Sequence, residues 1–411
     1  MTALRRIAVL AVFFLLATVL AWQTIATGLA DHFAEADPER ALKWEAHNPT
    51  ALLALAQRHL ARHEPDAAAA AARELLRYEP LEGEAFALLA EAAEAAGEAG
   101  KIKILNQVAL TRAPRDLHAR ARLINEQLRE GRFSEALQQI SLLLQIAPGQ
   151  SATLFPAMVQ LAGVPGFGAA LAHALNQAPP WRSGMLLALL GSGTHEAIGA
   201  VYQELQHEHG LSSDEFSGWL DQLMRVGRWD EAYSRWASDL PLGPDSSLPL
   251  LYNGRFATEP SSSGFDWRIG RTAGITMERE AFDAAGETFA MKLSFSGRRV
   301  SDIDFEQRLF LAPGAYHLRF RARADNLRSD KGLQWLIACD AQAAFLAASS
   351  LMNGKFDWKV IDTEFVIPED KCPGQRLWLR NQGADAAGKA VSGDIWFRDF
   401  AIDRGATRSS L

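Results

Sequence analysis

The segment LAPGAYHLRFRAR, residues 311–323, decides the fold of the C-terminal part of this chain. Pro313-Gly314 predicts a turn, after which Tyr316, Leu318, Phe320 and Ala322 alternate with His317, Arg319, Arg321 and Arg323. Successive side chains of a strand point to opposite faces, so the pattern reads as a half-buried strand with an apolar inner face and a basic outer face. A row of three arginines and a histidine is self-repelling. It needs either carboxylates on neighbouring strands or an anionic ligand.

The same period of two recurs on both sides of that segment. FDWRIG (265–270), TFAMKLSFSG (288–297), LQWLIACD (333–340), FDWKVIDTEFVIP (356–368), QRLWLRN (375–381) and SGDIWFRDFAID (392–403) are short strands between Gly, Pro and Asp turns. That density of strands predicts a sandwich over 250–404. In RLWLR, Leu377 and Leu379 share a face and leave Arg376, Trp378 and Arg380 on the other. In DIWFRD, Ile395 and Phe397 share a face and leave Trp396 and Arg398 opposite. If these strands share one sheet, its outer face carries His317, Arg319, Arg321, Arg323, Arg376, Trp378, Arg380, Trp396 and Arg398. Rings offer stacking surfaces and guanidinium forks pair carboxylates bidentately, a combination suited to an anionic polysaccharide. The alternative is that Trp378 and Trp396 pack under loops and the arginines pair with acids such as Asp304, Glu306 and Glu364 on adjacent strands. Trp267 and Trp335 alternate with polar residues and are expected in the core.

The opening LYNGRF (251–256), the central LAPGAYHLRFRAR and the closing SGDIWFRDFAI resemble the jelly-roll domains of the carbohydrate-binding-module and galactose-binding-like group. The resemblance covers about 250–404 and implies an antiparallel β-sandwich, though this fold hosts many functions. Members often hold a structural calcium with an acid after the opening Phe and an Asp-Asp pair in the last strand. Here those places read Ala257 and Arg398-Asp399, which puts calcium in doubt.

Residues 38–245 are different, dense in the helix formers Ala, Leu, Glu, Gln and Arg. Pro80, Pro114 and Pro148 recur 34 residues apart, each after an apolar run, and Gly97 and Gly131 keep the interval. GRFSEALQQI (131–140) and GRWDEAYSRW (227–236) share an opening. This period resembles the tetratricopeptide repeat. Ala68, Ala136 and Ala232 match its small position, and Leu52 with Leu55 and Phe86 with Leu89 its large pair; Ala56, Ala90 and Ile124 replace its usual Gly. The resemblance implies stacked helix hairpins forming an α-solenoid that binds a partner protein. PLGPDSSLPL (241–250) is the expected linker to the sandwich.

At the N-terminus, Arg5-Arg6 precede an apolar run that opens at Ile7 and weakens toward Leu29. This predicts a membrane anchor over 1–30 with the bulk of the chain outside the cytoplasm; a cleaved signal peptide is the alternative. The only cysteines, Cys339 and Cys372, are then expected to form a disulfide. Residues 405–411 read as a disordered tail.

The chain carries 42 Lys+Arg against 49 Asp+Glu, a net charge of -7, which argues against a generic nucleic-acid binder. No nucleophile elbow, phosphate loop or metal spacing is legible, and His59 with His63 offers two ligands on one helix without a third. No cofactor, metal or catalytic role is therefore expected. The sequence predicts a non-enzymatic, multidomain scaffold, α then β, anchored in the inner membrane with its bulk in the periplasm. It would contact a partner protein and glycan, in exopolysaccharide or cell-envelope assembly. A protein–protein assembly factor without sugar binding is the alternative.

Overall fold

The computed structural model describes residues 2–241, 247–281, 288–300, 302–340, 344–382 and 389–405. The expected tail at 405–411 falls outside these residues except for Gly405, and so does the middle of the expected linker at 241–250. The chain divides into two compact units, Met1–Leu205 and Gln206–Leu411.

The described residues form fourteen α-helices followed by ten strands. The helices are α1 (Thr2–Phe33), α2 (Pro38–Trp44), α3 (Pro49–Ala61), α4 (Pro65–Tyr78), α5 (Gly83–Ala95), α6 (Ala99–Arg112), α7 (Leu117–Arg129), α8 (Phe133–Ile146), α9 (Ser151–Leu161), α10 (Phe167–Asn176), α11 (Arg182–Ser192), α12 (His195–His207), α13 (Ser213–Arg225) and α14 (Trp229–Asp239). In α1, Phe13–Phe33 is long and apolar enough to cross a membrane, with a mean hydropathy of 1.7 and 6% of it buried. A membrane span and a signal sequence both meet that criterion.

Helices α3, α5, α7 and α9 begin at residues 49, 83, 117 and 151, and α4, α6, α8 and α10 at 65, 99, 133 and 167. Both series advance by the 34 residues that the prolines keep. The local reasons are readable. Proline opens α2, α3 and α4, where no backbone donor is needed, and Asp37 and Asn48 cap α2 and α3 by accepting from Arg40 and Ala51. Gly97 and Gly131 take left-handed backbone between paired helices, and His63 holds the equivalent turn with φ 60°. His63 thus lies beyond the end of α3, and His59 Nδ1 is 2.6 Å from Glu64 Oε2, so no histidine pair is presented on one helix face. At Gly83 a Cβ would come within 2.3 Å of the Ala113 Cβ, so glycine sets the close approach of α5 to the end of α6.

The strands are β1 (Trp267–Ile269), β2 (Ile275–Ala281), β3 (Phe289–Val300), β4 (Phe305–Leu309), β5 (Gly314–Arg328), β6 (Leu333–Cys339), β7 (Phe345–Ala348), β8 (Gly354–Ile367), β9 (Gln375–Asn381) and β10 (Lys389–Arg404). They form two five-stranded antiparallel sheets, ordered β1-β4-β9-β6-β7 and β2-β3-β10-β5-β8. Between them lies one core in which Trp267 and Trp335 are fully buried with Phe256, Phe305, Phe320 and Phe397. The Asn-Gly-x-Phe opening has a clear purpose. Phe256 enters the core, a Cβ on Gly254 would lie 2.0 Å from the Phe400 carbonyl oxygen, and that oxygen's neighbour, the Phe400 N–H, donates to Gly254 O at 2.8 Å. The expected disulfide joins Cys339 at the end of β6 to Cys372 ahead of β9, with Cα atoms 5.1 Å apart.

Sequence punctuation puts the domain change at 241–250, yet α13 and α14 belong to the same compact unit as the sandwich. The reason is an aromatic seam. The Phe265 ring lies 6.1, 5.1 and 5.4 Å from the rings of Trp229, Tyr233 and Trp236. Gly374 leaves room for the Trp229 indole, which a Cβ would meet at 2.2 Å, and Arg268 Nη1 donates to Asp221 Oδ2 at 3.1 Å.

Candidate functional site

The topology separates the residues that strand alternation groups together. β5 and β10 are neighbours in the second sheet, which brings His317, Arg319, Arg321, Arg323, Trp396 and Arg398 onto one outer face. β9 pairs with β4 and β6 in the first sheet, so Arg376, Trp378 and Arg380 lie on the far side of the sandwich. The single nine-residue face is therefore corrected to two. On the far side, Arg376 pairs closely with Glu306, as the ion-pairing alternative expects, and its guanidinium carbon lies 5.2 Å from the Trp378 ring centre. Arg380 is exposed.

On the second sheet, carboxylates of β8 and β10 meet most of the basic row. Arg319 donates to Asp403, which lies diagonally across on β10 beyond Ala401, and that hydrogen bond followed by the charge of Asp403 raises the Arg319 pKa above its ordinary value. Arg321 Nε and Arg398 Nε lie 3.7 and 3.5 Å from the same Asp399 oxygen. His317 Nδ1 is 3.1 Å from Asp362 Oδ1 on β8, and its Nε2 is 4.0 Å from Glu364 Oε1. Asp399 reaches this face because β10 shifts register between Arg398 and Ala401, with Asp399 itself at φ 54°. Exposed pairs of this kind contribute little stability, but they neutralise the row.

Arg323 is different: among the described residues no carboxylate pairs with it. It sits opposite Trp396, with its guanidinium carbon 5.2 Å from the indole centre, and Lys292 on β3 approaches that indole from the other neighbouring strand, also at 5.2 Å. The Trp396 Nε1 donates to Glu280 Oε2 at 2.9 Å, which fixes the ring. On the other side of β5, the register of β8 shifts between Lys359 and Phe356, so Asp357 and Trp358 together fall opposite Arg323. The Arg398 guanidinium carbon lies 4.7 Å from the Trp358 ring centre. The result is a transverse row over four strands, Lys292, Trp396, Arg323 and Trp358, half-buried apart from the exposed Arg323. Adjacent strands are about 4.8 Å apart, so the two indoles flank Arg323 at a spacing of roughly 10 Å. Such a row can stack on apolar ring faces and offer a guanidinium to an anionic group between them.

Trp358 does not figure among the residues picked out from sequence. Its signal was present: counting back in twos from Glu364, Asp362 and Val360 places it on the outer face.

The residues do not fit a structural calcium at the opening motif. The carbonyl oxygens of Phe256 and Ala257 accept from Arg279 Nε and Nη2 at 2.6 and 2.7 Å, so a guanidinium occupies them. Asp399 is engaged by Arg321 and Arg398, and no cluster of three His, Cys, Asp or Glu suited to a metal occurs among the described residues.

In the helical unit, α3, α5 and α7 line a groove of about 440 Å³ with Gln57, Leu60, Glu84, Leu88, Glu91 and Arg122. Arg122 spans from α7 to α5, donating to the Ala87 carbonyl at 2.7 Å and pairing with Glu91 at 2.5 Å.

No family model matches this chain, and no curated protein matches it. Solved β-sandwich modules do align with it. A family 4 carbohydrate-binding module is 16% identical over 38% of this chain and 99% of that one, with a TM-score of 0.30. The tandem family 22 carbohydrate-binding modules of a Paenibacillus barcinonensis protein are 15% identical over 40% of this chain and 51% of that one, with a TM-score of 0.26. A family 61 carbohydrate-binding module in complex with β-1,4-galactotriose is 16% identical over 39% of this chain and all of that one, with a TM-score of 0.24. At these values the likeness decides neither ligand nor site.

Proposed function

We propose that this protein is a non-catalytic scaffold of the cell envelope whose β-sandwich binds glycan on the outer face of its second sheet. The observation that carries the reading is the row Trp396–Arg323–Trp358. It has two half-buried indoles on a face that is otherwise charge-matched, and between them stands an exposed arginine with no carboxylate partner among the described residues. This chemistry favours a sugar chain bearing carboxylate groups. His317, Arg319, Arg321 and Arg398 serve in this reading as the ion-paired frame around the row. Arg376, Trp378 and Arg380, on the other sheet, lie outside it.

The rest of the reading places the site. α1 is the membrane anchor, and Arg5-Arg6 keep its start in the cytoplasm. The Cys339–Cys372 bond suits a periplasmic location. The 34-residue recurrence of helix starts from α3 to α10 supports a tetratricopeptide-like solenoid within Met1–Leu205, in which the groove on α3, α5 and α7 takes a segment of a partner protein. Such a chain would hold a partner near a polysaccharide during exopolysaccharide or envelope assembly.

Affinity electrophoresis of the full chain through alginate or polygalacturonate, compared with neutral xylan and galactan, tests the glycan claim. Retardation on the acidic polymers is expected, with loss in the Trp358→Ala/Trp396→Ala double variant and in Arg323→Glu. Absence of retardation on every polymer would sink it and leave the rival reading, a protein–protein assembly factor without sugar binding. The ion-pairing of His317, Arg319 and Arg321 favours that rival, because it supplies the row with protein partners.

A further inference from the structure

Helix α1 outlasts its most apolar run, which weakens after Trp22. It continues to Phe33, and its last turns are built into the helical unit. Ala30 and Ala34 are fully buried, Phe33 and Leu42 pack against Ala34, Ala41 and Ala51, and Asn48 Nδ2 donates to Asp31 Oδ1 at 2.8 Å. The helix therefore passes from an exposed apolar rod into packed protein without a break. What lies beside it at the junction is aromatic. The Trp22 and Trp44 rings are 6.2 Å apart, although Trp22 is 61% exposed and Trp44 39%. Three residues beyond Trp44, His47 stacks on Tyr78 at 3.9 Å, and Tyr78 and Leu81 are 47% and 64% exposed at the end of α4. Lys43, also exposed, has no carboxylate partner among the described residues.

A bilayer's hydrocarbon core takes about 20 helical residues. Counted from Arg6, that length ends within about one turn of Trp22. Tryptophan and tyrosine concentrate at the boundary between hydrocarbon and headgroups, where an apolar ring body and a polar tip are both satisfied. We propose that Trp44, Tyr78 and Leu81 form, with Trp22, a lipid-contacting platform that seats the helical unit on the outer leaflet around the emerging α1. This rests on reading α1 as a membrane span. The occupant is lipid because the platform runs on from the exposed apolar surface of α1, from Phe13 to Ile25, through the Trp22–Trp44 pair.

The test places p-benzoyl-phenylalanine singly at Leu16, Trp44, Tyr78, Leu81 and Leu187 of the full chain. The last is a control, 70% exposed on α11. All five side chains are exposed, so folding is not at stake. Each variant is reconstituted in phosphatidylcholine–phosphatidylglycerol vesicles and irradiated. Phospholipid-mass adducts are expected at 16, 44, 78 and 81 and none at 187. Adducts at 16 alone keep the span and overturn the platform, as would cross-links from 44, 78 and 81 to a second copy of the chain. Absence of adducts at 16 overturns the span reading and the platform with it.

Discussion

The helical unit and the sandwich hide their apolar surface in different ways. In the first helices of Met1–Leu205 alanine is the commonest buried residue, gathered in small separate groups such as Ala56, Ala71, Ala72 and Leu88, or Ala68, Ala69 and Ala92. The sandwich instead shares a single interior in which Trp335 lies within 5.7 Å, centre to centre, of Trp267, Phe305, Phe397 and Phe400. Small residues let helices approach closely, and each group then depends only on its neighbours in the chain. An aromatic interior is common to every strand. Damage should therefore stay local in the first case and spread through both sheets in the second.

Trp335→Ala is the strongest challenge to that contrast. It should cost about 3–5 kcal/mol, read as loss of the sandwich transition in denaturant while the helical transition stays in place. Joint loss of both transitions would break the comparison. Reducing Cys339–Cys372 should lower the same sandwich transition by about 2–4 kcal/mol, and equal midpoints with and without reductant would show that the bond adds nothing. Gly374→Ala asks whether α14 truly belongs with the strands. The new Cβ would meet the Trp229 indole at 2.2 Å, so overpacking of about 1–3 kcal/mol is expected in the sandwich transition alone.

Acid should also act through α14. Burial pushes the Glu231 carboxyl up, but hydrogen bonds from Arg235 and Arg228 and their charges outweigh it and hold the group below its ordinary range. A folded-state pKa below the unfolded one stabilises above the unfolded value, about 4.3, and the contribution is lost as pH falls through the folded value. Glu231→Gln should flatten that acid dependence, and an unchanged pH–melting curve would contradict it. The smallest effect sits in the helical unit. His63 holds with φ 60° the turn where the next two repeats have Gly97 and Gly131, so His63→Gly should raise the helical transition by up to about 1 kcal/mol. A drop would mean that the side chain earns its place by a contact.

Much of this architecture was legible in the residues, for physical reasons that also set the limits. The proline interval at 80, 114 and 148 reports the helix period because each proline stands just after a helix end. Strand alternation placed His317, Arg319, Arg321 and Arg323 on one face because β5 is regular over that stretch. It could not assign β9 to a sheet, since RLWLR alternates identically whichever edges it meets. It also misreads the end of β10: continued from Arg398, it would turn Phe400 outward and Asp399 inward. The register shift there buries Phe400 and gives Arg321 and Arg398 their carboxylate. The GRWDEAYSRW helix shares its opening with the repeats. Only its tryptophans and tyrosine hint that it seeks an aromatic partner rather than alanine.

The backbone bond between Gly254 and Phe400 ties the first loop of the sandwich to its final strand. Chain enters and leaves this part of the molecule at one corner. Tension applied between those two points would load that corner first, peeling a single seam open before any shear reached the indoles inside.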